Sequence, residues 1–145
     1  MLQEPYIKLK AYKIMNLSYS NTLINKKNKK NNFSLVPNLK VRKDKKNGIL
    51  NVKVDLVKFI NEKNCLEVLI EIDGIFEISN ELYSDEAKMV NVLYVNGTAM
   101  LYPYVRAIIS MITGLDSTTT VLLPTINTLD LLKEAAKKQN GSNNN

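Results

Sequence analysis

The run from Gly97 to Gly114 reads "GTAMLYPYVRAIISMITG", with glycine at both ends, one proline near its start and Arg106 as its single charge. Laid round a helix at 3.6 residues per turn, Leu101, Val105, Ile108 and Ile112 form one stripe. Met100, Tyr104, Ala107 and Met111 form a second stripe beside it. Tyr102 and Ile109 fill most of the remainder, leaving Arg106, Ser110 and Thr113 as the polar positions. Pro103 is expected in the first turn, where a missing N–H is harmless. A surface helix in a small domain carries one apolar stripe and one polar face; this one is apolar nearly all round. A single sheet covers only one side of it. In a monomer the other side would expose a patch on the order of several hundred Å², and burying it at ~25 cal/mol per Å² is worth several kcal/mol. The helix is therefore expected between its own sheet and a second subunit. Leu101, Val105, Arg106, Ile108, Ile109 and Ile112 are the expected oligomer-interface residues. The alternative cover is a C-terminal helix of the same chain.

Upstream the period changes from 3.6 to 2, which is the signature of half-buried strands. Ile7, Leu9 and Ala11 are expected on one face of a first strand from Tyr6 to about Tyr19, followed by a polar loop from Asn21 to Asn32. Leu35, Val36, Leu39 and Val41 surround Pro37, which argues for an edge strand or a break. "GILNVKVDLVKFI" puts Leu50, Val52, Val54 and Leu56 on one face and Asn51, Lys53 and Asp55 on the other. "CLEVLIEIDGIFEI" does the same with Leu66, Val68, Ile70 and Ile72 against Glu67, Glu71 and Asp73, and the intervening "NEKN" reads as a hairpin turn. Gly74 predicts a bulge or bend in that strand. The expectation is a four-stranded antiparallel meander over the first ~80 residues. Glu81 to Asn96 is mixed in pattern.

Downstream, Val121, Leu122, Leu123, Pro124 and Ile126 form an apolar, proline-containing linker. Asn127, with Asp130 three residues on, is placed to cap a final helix with Leu129, Leu132 and Ala136 on its stripe. The chain reads as one α+β domain over residues 1–138, a four-stranded antiparallel sheet followed by two C-terminal helices, with 139–145 as a disordered tail.

Composition narrows the function. The chain has 145 residues, 45% of them hydrophobic, with one cysteine, no histidine and a formal net charge of +6. The absence of histidine removes the commonest general base and the commonest metal ligand together. No clustered carboxylate pair stands out, so an enzyme, a cofactor and a metal site are not expected. No apolar run reaches the ~18 residues of a membrane span. The first residues lack the features of a signal peptide; a cytoplasmic protein with no membrane insertion is expected. Lys26, Lys27, Lys29 and Lys30 form one basic cluster, and Arg42, Lys43, Lys45 and Lys46 a second. Such clusters can meet a phosphate backbone. With only Phe33 nearby there is no row of aromatics for stacking bases, and solvated hairpin tips explain them better than nucleic acid does.

"GTAMLYPYVRAIISMITG", then "VLLPTIN", then "LDLL", resembles the signature region of the SecB protein-export chaperones. The matching positions are Leu101, Tyr102, Pro103, Tyr104, Arg106, Ile109, Ser110 and Gly114, then Leu123, Pro124, Ile126, Asn127 and Leu131. "DGIFEI" (Asp73 to Ile78) resembles a strand end of that family. The likeness covers about the C-terminal half. It implies domains that pair through sheets and long helices as a dimer of dimers, acting as an ATP-independent holdase. Such a holdase takes unfolded, export-destined polypeptides in apolar grooves, with backbone pairing along strand edges, and hands them to SecA. Phe76, Ile78, Val121, Leu122, Leu123 and Ile126 are then the expected groove walls. Familiar members of that family are acidic, whereas this chain is basic; Leu69 and Thr128 stand where the family carries a SecA-contacting glutamate and a phenylalanine. Chaperones similar to SecB also guard antitoxins of toxin–antitoxin systems, and a basic nucleic-acid-binding module is the remaining alternative.

Overall fold

The alternating segments pair into one antiparallel sheet in the computed structural model, which describes residues 5–23, 31–60, 62, 64–115, 121–124 and 128–142. Strands β1 (Ile7–Leu23), β2 (Asn32–Val41), β3 (Asn47–Phe59) and β4 (Asn64–Ile78) lie in the order β1-β4-β3-β2. The connectivity is a Greek key and not the expected meander: β2, β3 and β4 follow one another, and β1 closes against β4. β3 and β4 carry the fullest apolar faces and take the centre. Leu50, Val52 and Val54 of β3 and Leu66, Val68, Ile70 and Ile72 of β4 are almost wholly buried. β2, with Pro37, takes an edge, as expected of a strand that carries a proline.

β1 departs most from its pattern. It spends 17 residues where β4 spends 15, because the register slips once between Leu9 and Ala11 and again between Ile14 and Asn16. Each extra residue is a bulge that turns the following side chains over. Ile7 and Leu9 face the helices as expected, but Ala11, opposite Ile75, is turned to the outer face. Tyr12, Ile14 and Leu17, opposite Gly74, Ile72 and Ile70, join the inner one. The strand also continues to Leu23, through the start of the expected loop.

The bends belong to β1 and not to Gly74. β4 pairs with β3 without a register shift from end to end. A Cβ at Gly74 would stand 2.7 Å from Leu101 Cδ1 and 2.9 Å from a Phe76 ring carbon. Gly74 is therefore the seat on which Leu101 rests.

Asp85 caps α1 (Glu86–Val92) by accepting a hydrogen bond from Lys88 N. A π turn (Leu93–Gly97) and α2 (Thr98–Gly114) follow with helical dihedrals at both joins. Gly97 is thus not a helix start but the point of closest approach to the sheet, where a Cβ would lie 3.0 Å from Leu50 Cδ2. Pro103 lies in the helix interior and not in a first turn. It removes the donor for the Ala99 carbonyl; both residues are exposed, so water can serve instead. Leu93, Leu101, Val105 and Ile109 bury their side chains completely. α3 (Thr128–Ser142) lies mainly against β2, with slighter contact to the π turn and α2. It therefore does not cover the second side of α2, and its backbone stays helical over 139–142, where a tail was expected. The proposed cap Asn127 lies outside the described residues. No helix among the described residues is long and apolar enough to cross a membrane.

Candidate functional site

Three side chains of α2 tie down the linker. Thr113 Oγ1 donates to Ile109 O at 2.7 Å and accepts from Val121 N at 2.9 Å. Arg106 Nε donates to Leu123 O at 2.7 Å, and Tyr102 OH donates to Pro124 O at 3.0 Å. Because 102, 106 and 113 fall four and seven residues apart, they lie along one side of the helix. The linker 121–124 runs beside them as an extended strap. Its alternation sends Val121 and Leu123 into the core and leaves Leu122 70% exposed. Burial holds the Tyr102 phenol above its usual pKa, while the nearby Arg106 charge pulls the other way. Tyr102, Arg106, Leu123 and Pro124, four of the residues that carry the family likeness, are therefore parts of one clamp.

Beyond the strap, α3, β2 and the π turn enclose an open cleft of about 600 Å³. Tyr94 and Val95 of the π turn, Leu129 and Leu132 of α3, and Val36 and Pro37 of β2 form its apolar walls, with Asn38, Asn91 and Lys133 at polar points. A long cleft with apolar walls and few polar groups can hold apolar side chains of an extended chain.

A second apolar surface lies at the other edge of the sheet. Tyr12 of β1 packs on Tyr104 of α2, with ring centroids 4.6 Å apart. Ile14 and Leu17 share that face of β1, 48% and 38% exposed, and Met111 of α2 is 65% exposed. Among the described residues, this is the side of the helix that its own sheet leaves exposed, joined to an edge strand.

The expected residues divide accordingly. Leu101, Val105 and Ile109 are wholly buried under their own sheet and have no surface to offer a partner. Ile108 and Ile112 are half-buried, and Arg106 is occupied with the strap. Among the expected groove walls, Phe76, Ile78, Val121 and Leu123 are core residues, Leu122 is exposed, and Ile126 lies outside the described residues. On the helix the reassignment has one cause. The 3.6-period pattern tells apolar from polar, but a helix apolar all round does not reveal which stripe its own sheet takes. The cleft residues Tyr94 and Val95 carry no periodic signal because they lie in the π turn, whereas Leu129 and Leu132 stand on the expected stripe of the final helix.

Charge is segregated on the outer face of the sheet. Asn51 Nδ2 donates to Glu71 Oε1 at 3.1 Å and to Asp73 Oδ1 at 2.6 Å, holding the two carboxylates side by side. Lys10, at the first bulge of β1, reaches Glu77 at 2.8 Å. The basic cluster at Arg42–Lys46 forms the turn between β2 and β3, and Phe33 packs against the core. Lys26, Lys27, Lys29 and Lys30 lie outside the described residues.

A twisted sheet backed by one long helix, with a strapped linker and a terminal helix over an apolar cleft, is the architecture of a chaperone of the SecB type. The family described as preprotein translocase subunit SecB matches residues 2–139, and the chain belongs to that family. Among solved structures it is similar to the SecB-like chaperone Rv1957 of Mycobacterium tuberculosis, solved in complex with a ChAD peptide from the HigA1 antitoxin. That match has 13% identity and a TM-score of 0.69, over 83% of this chain and 91% of that one. It also matches a protein of unknown function from Streptococcus agalactiae at 16% identity and a TM-score of 0.47, over 82% of this chain and 97% of that one. No curated protein sequence matches the chain.

Proposed function

We propose that this protein is an ATP-independent holdase that takes unfolded polypeptide in the cleft between β2, the π turn and α3. The observation that carries the reading is that cleft, in a chain of the SecB family: its apolar walls belong to three different elements and, among the described residues, it stands open. Apolar segments of an unfolded client would bury there, and whatever binds the unfolded state shifts the folding balance by mass action. No bond is made or broken. Self-association completes the reading. The Tyr12, Ile14, Leu17, Tyr104 and Met111 surface is the part of the protomer that a second copy would cover, in keeping with the dimer of dimers expected of the family. Delivery of export-destined chains to SecA in the cytoplasm belongs to the same proposal. Protection of an antitoxin is the second reading, favoured by the peptide bound to the mycobacterial chaperone.

Light scattering with and without a reduced, unfolded protein tests this. The expected result is an oligomer that takes up the unfolded chain, with binding that competes with an apolar dye and changes little with salt. A monomer that ignores the chain defeats the reading; the nucleic-acid alternative predicts instead binding of a duplex or single strand that weakens steeply with salt.

A further inference from the structure

The two edges of the sheet are chemically different. In an antiparallel pair, successive residues turn their N–H and C=O groups alternately toward the partner strand and away from it. Arg42 N donates to Asn47 O at 3.1 Å, Phe59 N to Asn31 Oδ1 on the β2 side at 2.8 Å, and Ile60 N to Asn64 O on the β4 side at 3.0 Å. One alternation satisfies all three. It turns the N–H groups of Ser34, Val36, Asn38 and Lys40 toward β3, and those of Phe33, Leu35, Leu39 and Val41 outward. Position 37 falls in the outward set, opposite Val52. Pro37 therefore sacrifices no ladder bond, and the donor it lacks is missing from the middle of the outer edge. The same alternation on β1 starts from Ser79 N donating to Tyr6 O at 2.8 Å. It turns the amides of Leu9, Tyr12, Ile14 and Leu17 outward, in a strand without proline.

The cleft meets β2 at this outer edge. Val36, Pro37 and Asn38 all line it, and since consecutive strand residues point to opposite faces, the cleft looks at the side of the strand. A polypeptide arriving there finds a pyrrolidine ring where strand addition needs an N–H. We infer that Pro37 is the residue that decides how this edge is used. It prevents β2 from accepting a further strand, so that a bound polypeptide is held by its side chains and extension of the sheet is left to β1. The statement about the bound polypeptide rests on the holdase reading; the statement about the edge does not.

Full-length Pro37→Val and Pro37→Thr both restore the N–H on strand-favouring residues, one apolar and one polar. Both are expected to keep the far-UV spectrum of the parent while their mass by light scattering at least doubles over time, with rising thioflavin T fluorescence. Unchanged mass in both, or growth in the valine variant alone, overturns the inference. So does loss of fold in both, since a position with an outward amide must tolerate either residue. In the unaltered protein, the Leu35 and Leu39 amides should exchange with solvent at the same rate with and without reduced, carboxymethylated α-lactalbumin. Exchange slowed about tenfold or more by that probe would show strand addition and overturn the inference. If the protein does not take up the probe, the holdase reading fails, and the two variants still decide the edge.

Discussion

Gly74 and Thr98 are single residues whose chemistry predicts opposite shifts in stability. A methyl group at Gly74 would enter the space of Leu101, and an overpacked core loses about 1–3 kcal/mol. Gly74→Ala is expected to lower the urea midpoint with little change in slope. Adding Leu101→Ala should remove part of the clash, so that the double variant loses less than the sum of the two. Thr98 sits directly after the π turn, fully buried, and its hydroxyl is the one described buried side-chain group without a hydrogen-bond partner. Thr98→Val keeps the shape and removes the orphaned group; a gain of about 1 kcal/mol in the same titration is expected. Tyr102 adds a pH dependence. Its folded-state pKa is raised, so above its ordinary value the folded protein holds a proton that the unfolded chain has released. Stability from this group is fully present below the unfolded pKa and falls as pH rises through the folded one. Tyr102→Phe should flatten that alkaline loss in thermal melts, at the expense of the bond to Pro124.

At the scale of elements, the strap is the most testable part. Thr113→Val leaves Val121 N without its acceptor in a buried site, a loss of about 1–3 kcal/mol. Faster hydrogen exchange at Val121, with unchanged exchange in β3 and β4, is the expected signature; uniform acceleration would show that the strap opens only with the whole fold. The elements also differ in how legible they were. β3 and β4 alternate strictly because each is buried on one face along its length, so sequence and structure agree residue by residue. β1 was readable only to Leu9, because each bulge reverses the phase and leaves no residue type to mark it. The start of the long helix was hidden because Gly97 suggested an end. Its small size in fact serves contact with Leu50 and Phe76. In the clamp, the carbonyl that Arg106 meets belongs to a residue 17 positions away in the chain, a pairing invisible to periodicity.

For the whole molecule, the two sides of α2 make separable predictions. Met111→Asp and Ile14→Asp place a charge on exposed apolar surface and should reduce the assembled mass without unfolding the protomer. Ile109→Asp buries the same charge under the sheet and should abolish the thermal transition itself. Light scattering and circular dichroism, run together, separate the two; equal behaviour of all three would remove the distinction between inner and outer stripes. The apolar surplus of the helix was visible in the sequence, since it carries more apolar residues than one sheet can use, while the position of the exposed stripe depended on β1 and was not. The unequal count between β1 and β4 also bears on ancestry. A relative without the two bulges, compared by gap-free alignment, would match wet positions with greasy ones from Ala11 to Met15 only, because the second offset restores the phase.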